Sequence, residues 1–331
     1  MFRLILSIVM FVVLLGGIYS AYKHFSGLDP LKLDPGSLFS EALAGKLPKE
    51  FLGILSANKV TKGLSDQINQ KVANQQKSKE IPSENTKKET KANLAFKFLL
   101  ITDSHSDNMN LNKAIKQAKQ DFPDLKFIIG LGDYTEVGTI DELKRAKKEL
   151  DVSGLRYFLI PGDHDLWDCR NRGLSPTVCF SQVFGPPFQS FVFDNFLFLL
   201  LDNSNNYTGF DAVQLQWIES ELEKSKDAKG IFVFLHEPLF HPSSEHVMGW
   251  VEKKLKLQAE QIIFKLKDTG LAKMVFAGDI HYFSEYSEPK TSLSMMTVGA
   301  VTADRNPQAP RFAVASVFDD GSIKVEDVEI K

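Results

Sequence analysis

From Phe96 onward, short apolar runs alternate with amphipathic stretches, and the apolar runs end at Asp or His residues. The stretches FKFLLITD, LKFIIGLGD and LRYFLIPGDHD are each typical of a strand, and helical patterns at 108–122 and 139–151 separate them. This β-α-β-α-β order predicts a mainly parallel sheet that is buried on both faces. Because parallel strands end along one edge of their sheet, we also expect the polar residues to meet there.

The alternation continues through the rest of the chain. It predicts further strands at 195–203, 230–237 and 272–281, and further helices at 211–225 and 255–268. The last three apolar segments, at 292–301, 311–320 and 322–330, are predicted to be strands of a second sheet. The expected fold class is α/β.

The N-terminus has a different texture. Leu4 to Tyr22 carry no charge, and this run is close to the ~20 residues that cross a bilayer as a helix. The preceding Arg3 fits both a signal anchor and a cleaved signal peptide, and we favour the anchor because no clear small-x-small cleavage site follows. The prediction is a transmembrane helix at 1–22 in the cytoplasmic membrane, crossing it once, with the domain outside.

Two segments separate this predicted anchor from the domain. Residues 23–55 form a predicted membrane-proximal segment, and residues 56–94 a polar linker rich in Lys, Gln, Asn and Glu. The domain itself is predicted at 95–331. Behind an export signal, Cys169 and Cys179 could close a short loop as a disulfide, and two free thiols are an equal alternative.

Charge argues against one class of partner. The net charge is −3 with a pI near 6.2, so the chain lacks the basic excess with which proteins meet nucleic-acid phosphates. The oligomeric state is left open by the sequence. A membrane is the one partner that the N-terminal run predicts.

The polar residues at the strand ends are the candidate site. Carboxylates are costly to bury unless they are paired or bind a metal. Asp and His together are suitable ligands for Fe, Mn, Zn or Mg. The sequence therefore predicts a metal site at the carboxyl ends of separate strands, formed by Asp103, Asp133, Asp163, His236, Asp279 and His281.

The order of these motifs resembles the calcineurin-like metallophosphoesterase family. The family pattern is D-x-H, G-D, G-N-H-D/E, a lone H and G-H-x-H. The chain offers Asp103 with His105, Gly132-Asp133, Gly162 to Asp165, His236, and Gly278 to His281. The resemblance covers about residues 96–331 and implies two packed mixed β-sheets flanked by helices.

The resemblance also implies residue roles. The first of two divalent ions (Mn, Fe, Zn or Mg) would be held by Asp103, His105 and His281, the second by Asp163, His236 and Asp279, with Asp133 between them. Such a pair activates a hydroxide for attack on a phosphate mono- or diester. His164 would act beside the phosphoryl group, and Asp165 would orient His164.

Two positions depart from the family pattern. Asp163 stands where the family has Asn, and Asp279 where it has the first His of G-H-x-H. Both would make the second ion's site harder, which favours Mn, Fe or Mg over Zn. They leave open an alternative, a degenerate family member that binds a ligand or partner with little catalysis. A nuclease and a domain facing the cytosol are further alternatives.

Overall fold

The structure, a computed structural model, describes residues 92–331. The predicted transmembrane helix (1–22), the membrane-proximal segment (23–55) and nearly all of the predicted linker (56–94) lie outside the described residues. Within 92–331, no helix is both long and apolar enough to cross a membrane. The first strand begins at Leu94.

Eleven strands and six α-helices make up the described part of the chain. The strands are β1 (Leu94–Ile101), β2 (Leu125–Gly130), β3 (Arg156–Leu159), β4 (Gln189–Phe193), β5 (Phe196–Leu200), β6 (Gly230–Phe234), β7 (Ala272–Ala277), β8 (Ser284–Ser287), β9 (Ser294–Thr297), β10 (Arg311–Phe318) and β11 (Ile323–Glu329). The helices are α1 (Asn108–Asp121), α2 (Ile140–Val152), α3 (Trp167–Asn171), α4 (Val178–Phe184), α5 (Ala212–Lys224) and α6 (Leu255–Asp268). A 3-10 turn, His164–Leu166, precedes α3.

The strands form two mixed sheets, in the orders β11-β10-β1-β2-β3 and β4-β5-β6-β7-β9-β8. β1, β2 and β3 are parallel, as the β-α-β-α-β pattern predicts. The prediction that the last three segments share a second sheet was wrong for two of them. β10 pairs antiparallel with β1 and carries β11 at its other edge, while β9 alone joins the second sheet, beside β7.

The two sheets pack face to face through an apolar layer dominated by phenylalanine. Alternate residues of each strand point into this layer, so Phe96 and Phe98 of β1 meet Phe198 of β5 in edge and tilted ring contacts. The intervening residues of β1, Leu99 and Ile101, point the other way. This period-2 alternation fixes which face of each strand is covered by the opposite sheet.

Helices cover the outer faces. α1, α2 and α4 pack on the first sheet, and α5 and α6 pack on the second. Thr139 and Glu142 form a reciprocal capping box at the start of α2, as the sequence indicates. Helix, sheet, sheet and helix layers therefore leave the carboxyl ends of the parallel strands open for a site.

The two cysteines form a disulfide, which resolves the alternative left open by their spacing. Cys169 in α3 and Cys179 in α4 have Cα atoms 5.9 Å apart. The bridge ties the two short helices together beside the first sheet, and both side chains are buried.

Candidate metal centre

The loops that follow β1, β2, β3, β6 and β7 bring all seven predicted metal ligands to one edge of the two sheets. Five of these residues have left-handed backbone conformations, with φ between 42° and 68°: Asp103, His105, Asp133, Asp279 and His281. Positive φ is uncommon outside glycine, although Asp and His tolerate it best. Such strain is typical of functional sites, where the surrounding fold holds it in place.

The first donor group contains Asp103, His105 and His281, whose ligand atoms all lie within 4.8 Å of one another. The Nε2 atoms of His105 and His281 are 3.1 Å apart. His281 Nε2 lies 3.7 Å from Asp103 Oδ1. All three side chains come from the strand ends that the motif pattern specifies.

The second donor group contains Asp163, His236 and Asp279. His236 Nε2 lies 3.7 Å from Asp163 Oδ1 and 3.7 Å from Asp279 Oδ1. Burial acts to lower the pKa of His236, but the surrounding carboxylates, Asp133 foremost, raise that pKa well above its ordinary value. The group therefore strongly attracts positive charge, whether a proton or a cation.

Asp133 lies between the two groups. Its Oδ2 is 3.5 Å from His105 Nε2, and its Oδ1 is 3.5 Å from His236 Nε2. The backbone N–H of His164 donates to Oδ1 at 3.0 Å and fixes the carboxylate. Gly162 makes this approach possible, because a Cβ there would lie 2.1 Å from Asp133 Oδ1.

The donor atoms fit divalent cations. Donors bound about 2.1 Å from one tetrahedral ion are about 3.4 Å apart. Four donor pairs within the two groups are 3.1 to 3.7 Å apart, and all donor atoms of a group lie within 4.8 Å of one another. Among the described residues, Asp103 Oδ1 and His236 Nε2 are buried without a hydrogen-bond partner. Buried polar atoms of this kind are rare and require an explanation, and a bound ion supplies one.

Two of the three ligand histidines, His236 and His281, have their outer nitrogens held by backbone carbonyls. His236 Nδ1 lies 2.8 Å from the carbonyl of Leu131, and His281 Nδ1 lies 3.1 Å from the carbonyl of Arg305. Because a carbonyl only accepts, each Nδ1 carries the proton and each Nε2 keeps a free lone pair. This arrangement is the usual one for histidines that bind metals.

Burial sets the protonation of the first group. Burial, together with the neighbouring His164 and His281 rings, lowers the pKa of His105 to about 2. Burial also raises the pKa of both Asp133 and Asp279 above the ordinary value of 3.8. The neutral ring suits a ligand, and the crowded carboxylates are costly to ionise without a cation.

His164 lies beside the donor groups and lines the cavity above them. Its Nδ1 donates to the carbonyl of Glu136 at 2.7 Å, so Nε2 is the nitrogen left for chemistry. Its ring stacks on Trp167, with centroids 3.8 Å apart, and meets the ring of His105 edge-on. The imidazole is therefore held in one tautomer and one orientation.

The predicted role of Asp165 in orienting His164 was wrong. The carboxylate of Asp165 accepts hydrogen bonds from the Thr135 hydroxyl at 2.7 Å, the Thr135 N–H at 3.1 Å and the Gly162 N–H at 2.9 Å. It thus joins the loop after β2 to the loop after β3. The Glu136 carbonyl holds His164 instead, a backbone contact that motif comparison cannot reveal.

A cavity of about 340 Å³ opens above the donor groups. Among the described residues that line this cavity, Arg305 is the only lysine or arginine. The sequence pattern did not predict a role for it. One guanidinium nitrogen of Arg305 lies 2.9 and 3.0 Å from the carboxylate oxygens of Glu136 and 3.4 Å from His105 Nδ1. The other lining residues are His105, Asp133, Asp163, His164, Ser244, His246, Asp279, Ile280, His281 and Tyr282.

Two further histidines, His241 and His246, come from the loop after β6. His246 lines the cavity, with Nε2 at 3.8 Å from Asp279 Oδ2, whereas His241 lies against Tyr282 outside the lining. Asn203, which the family pattern leaves without a ligand role, has a structural one. Its Oδ1 accepts the backbone N–H of His236 at 3.0 Å and fixes the loop that carries this ligand.

Comparison with known proteins agrees with this geometry. The sequence profile of the family described as calcineurin-like phosphoesterase matches residues 96–283, more than half of the chain. A probable glycerophosphodiester phosphodiesterase from Arcobacter nitrofigilis is 30% identical over 130 residues. That alignment covers 38% of this chain and 45% of the relative, so the match spans less than half of the relative's length.

Solved structures share the fold at low sequence identity. A dimetal phosphatase from Danio rerio is 16% identical, with a TM-score of 0.54 over 72% of this chain and 100% of that one. A purple acid phosphatase from yellow lupin (Lupinus luteus) seeds is 14% identical, with a TM-score of 0.54 over 71% of this chain and 51% of that one. These likenesses show the fold alone, and the profile match over residues 96–283 shows the family. The chain belongs to the calcineurin-like phosphoesterase family.

Proposed function

We propose that the domain at residues 95–331 hydrolyses phosphate mono- or diesters at a binuclear metal centre. One observation carries the proposal. The two oxygens of Asp133 face two separate donor groups, one through His105 and one through His236. A single carboxylate so placed suits two neighbouring cations, and two-metal sites are typical of phosphate-ester hydrolysis.

The donor groups supply the ligand sets. Asp103, His105 and His281 would hold one ion, and the second donor group the other, with Asp133 shared. Nitrogen and oxygen donors suit Mn, Fe, Zn or Mg, and the additional carboxylates of the second group favour Mn, Fe or Mg there. When bound, two such ions stabilise the attacking and leaving oxygens of an in-line displacement and lower the pKa of bound water.

His164 is the proposed proton donor. Its Nδ1 proton is engaged by the Glu136 carbonyl, so its Nε2 can contact a phosphoryl oxygen or carry the proton that goes to the leaving group. The stack on Trp167 prevents the ring from turning away. The residue therefore acts from a fixed position.

Arg305 is the proposed binding residue for substrate charge. The other charged groups of the cavity lining are carboxylates or histidines. The Arg305 guanidinium is therefore the fixed positive charge that an approaching phosphate meets. Glu136 orients the guanidinium, and it leaves the remaining N–H groups of Arg305 free for an anion. The name of the Arcobacter nitrofigilis relative makes diesters the first substrates to test.

The test is hydrolysis by metal-stripped protein of nitrophenyl phosphate and bis-nitrophenyl phosphate, with Mn, Fe, Zn, Mg or no metal added. Asp133→Asn removes the shared carboxylate and should abolish metal-restored turnover. Asp202→Asn, another carboxylate at a strand end but outside both donor groups, is the matched control and should keep it.

The degenerate binding protein is the second candidate, since Asp163 and Asp279 add negative charge where a phosphate must approach. Folded protein without turnover under any metal would overturn the hydrolase and favour this candidate. Metal content, measured by mass spectrometry, then separates a protein that binds two ions from one that binds fewer.

We propose separately that the chain is anchored in the cytoplasmic membrane with the domain outside. The support is the uncharged run Leu4 to Tyr22 behind Arg3. In intact cells, a cysteine introduced at the exposed position Val213 of α5 (Val213→Cys) should then be labelled by maleimides that do not cross the membrane. Labelling only after permeabilisation would contradict this location.

A further inference from the structure

The two carboxylates that depart from the family pattern have matching surroundings. Asp163 and Asp279 each direct Oδ1 toward His236 Nε2 at 3.7 Å. The second oxygen of each, Oδ2, faces a polar side chain from a loop outside the sequence motifs. For Asp163 that side chain is Asn206, and for Asp279 it is His246.

Asn206 makes a direct contact. Its Nδ2 donates to Asp163 Oδ2 at 3.2 Å, and this orientation of the amide is required because an ionised carboxylate only accepts. This contact engages the outer oxygen of Asp163, so Oδ1 is the oxygen that faces His236.

His246 faces Asp279 in the same way at a longer distance. Its Nε2 lies 3.8 Å from Asp279 Oδ2, an oxygen that is buried and has no hydrogen-bond partner among the described residues. The His246 side chain is 55% exposed, so a small rotation can bring the ring into hydrogen-bond distance. No other side chain in the cavity lining makes an ion-pair contact with this oxygen.

We propose that Asn206 and His246 are positioning residues that orient Asp163 and Asp279 and thereby set the affinity of the second donor group for its ion. The inference rests on the proposed binuclear centre and extends it to two loop residues. A carboxylate can bind an ion through either oxygen. A side chain without a hydrogen-bond partner can rotate, and its donor oxygen would then move away from the other donors of the group. Two donors on the outer oxygens keep both inner oxygens beside His236 and offset part of the added negative charge.

The test is Mn²⁺ titration of the metal-stripped full chain in detergent micelles, with free Mn²⁺ followed by electron paramagnetic resonance. Wild-type protein should bind two ions with separate dissociation constants. Asn206→Ala and His246→Ala should each raise the constant of the second donor group about 10- to 100-fold. The constant of the first group, which neither residue touches, should stay within about twofold and serves as an internal measure of folding.

Conservative and neighbouring variants sharpen the test. His246→Gln keeps an N–H donor and should retain most of the second-group affinity. Glu245→Gln and Thr208→Ala are matched controls from the same two loops, because both side chains are exposed and make no hydrogen bond or ion pair within residues 92–331. Both should leave the two constants unchanged.

The outcomes separate this inference from the proposed function. Two ions in wild-type protein and unchanged constants in both alanine variants would overturn the inference alone. An equal loss at both donor groups would also overturn it, since general damage would then explain the effect. A single ion bound by wild-type protein would overturn the inference and the binuclear centre together.

Discussion

Gly162→Ala isolates the closest backbone approach in the metal centre. A methyl group at this position would lie 2.1 Å from Asp133 Oδ1 and 2.3 Å from the Asp133 backbone nitrogen. Non-bonded heavy atoms settle at about 3.5 Å, so the two loops must separate by about 1 Å. A displacement of that size at a catalytic group costs on the order of 100-fold in rate, and the overpacking costs about 1–3 kcal/mol of stability.

The assay is kcat/KM for bis-nitrophenyl phosphate together with metal content and urea unfolding. Gly154→Ala is the matched control, because this residue has φ +67° but nothing lies within 4 Å of an added Cβ. It should lose about 1 kcal/mol from backbone strain and keep full activity. If Gly162→Ala keeps kcat/KM within about threefold and binds the wild-type amount of metal, the close-approach argument is refuted.

Three further predictions concern the surroundings of the centre. Replacing Cys169 and Cys179 with Ala should lower the free energy of unfolding by about 3 kcal/mol, because the bridge closes a short loop in the unfolded chain; equal urea midpoints would contradict this. Burial and the Asp279 carboxylate raise the pKa of Glu237 from 4.5 to about 8, so the stability that comes from its neutral form is complete below pH 4.5 and is lost as the pH rises through 8. Between pH 5 and 9, the free energy of unfolding of the metal-free wild type should therefore fall by about 4 kcal/mol more than that of metal-free Glu237→Gln. Parallel pH profiles of the two proteins in urea unfolding would contradict this. Arg305→Ala should raise KM for phosphate esters about tenfold or more and change kcat little, and steady-state kinetics that show the reverse would remove Arg305 from substrate binding.

Local pattern was sufficient to predict most elements, because buried parallel strands are continuous apolar runs and helices carry their own caps. It failed for strands whose character depends on a partner. β8 reads SEYS, a polar sequence that forms an edge strand only because β9 lies beside it. The sheet to which β10 belongs depends on the free edge of β1, and periodicity within a segment carries no information about that edge.

The candidate site, too, was predicted from local pattern only in part. The order of the motifs was enough to predict that seven candidate ligands meet at one edge of the sheets, because each of them follows the end of a strand. Other polar residues around the site come from distant loops without a motif: Asn206 is 43 residues from its partner Asp163, and Arg305 is 169 residues from its partner Glu136. Asp165 was misassigned for a related reason, since its partners are mainly backbone N–H groups that any sequence could supply.

The left-handed backbone of the ligands shows how the fold supports such a site. Asp103 and Asp133 would each relax to ordinary φ values in an isolated loop, because positive φ costs a non-glycine residue about 1–2 kcal/mol. Backbone bonds between neighbouring loops oppose that relaxation: the Asp103 N–H donates to the Gly132 carbonyl at 3.0 Å, and the His105 N–H donates to the Asp133 carbonyl at 2.9 Å. The strand-end loops thus hold one another in strained positions, and these positions bring the donor atoms together at one edge of the sheets. Because the backbone is fixed in this way, the direction of each donor atom depends on the side chains that contact it.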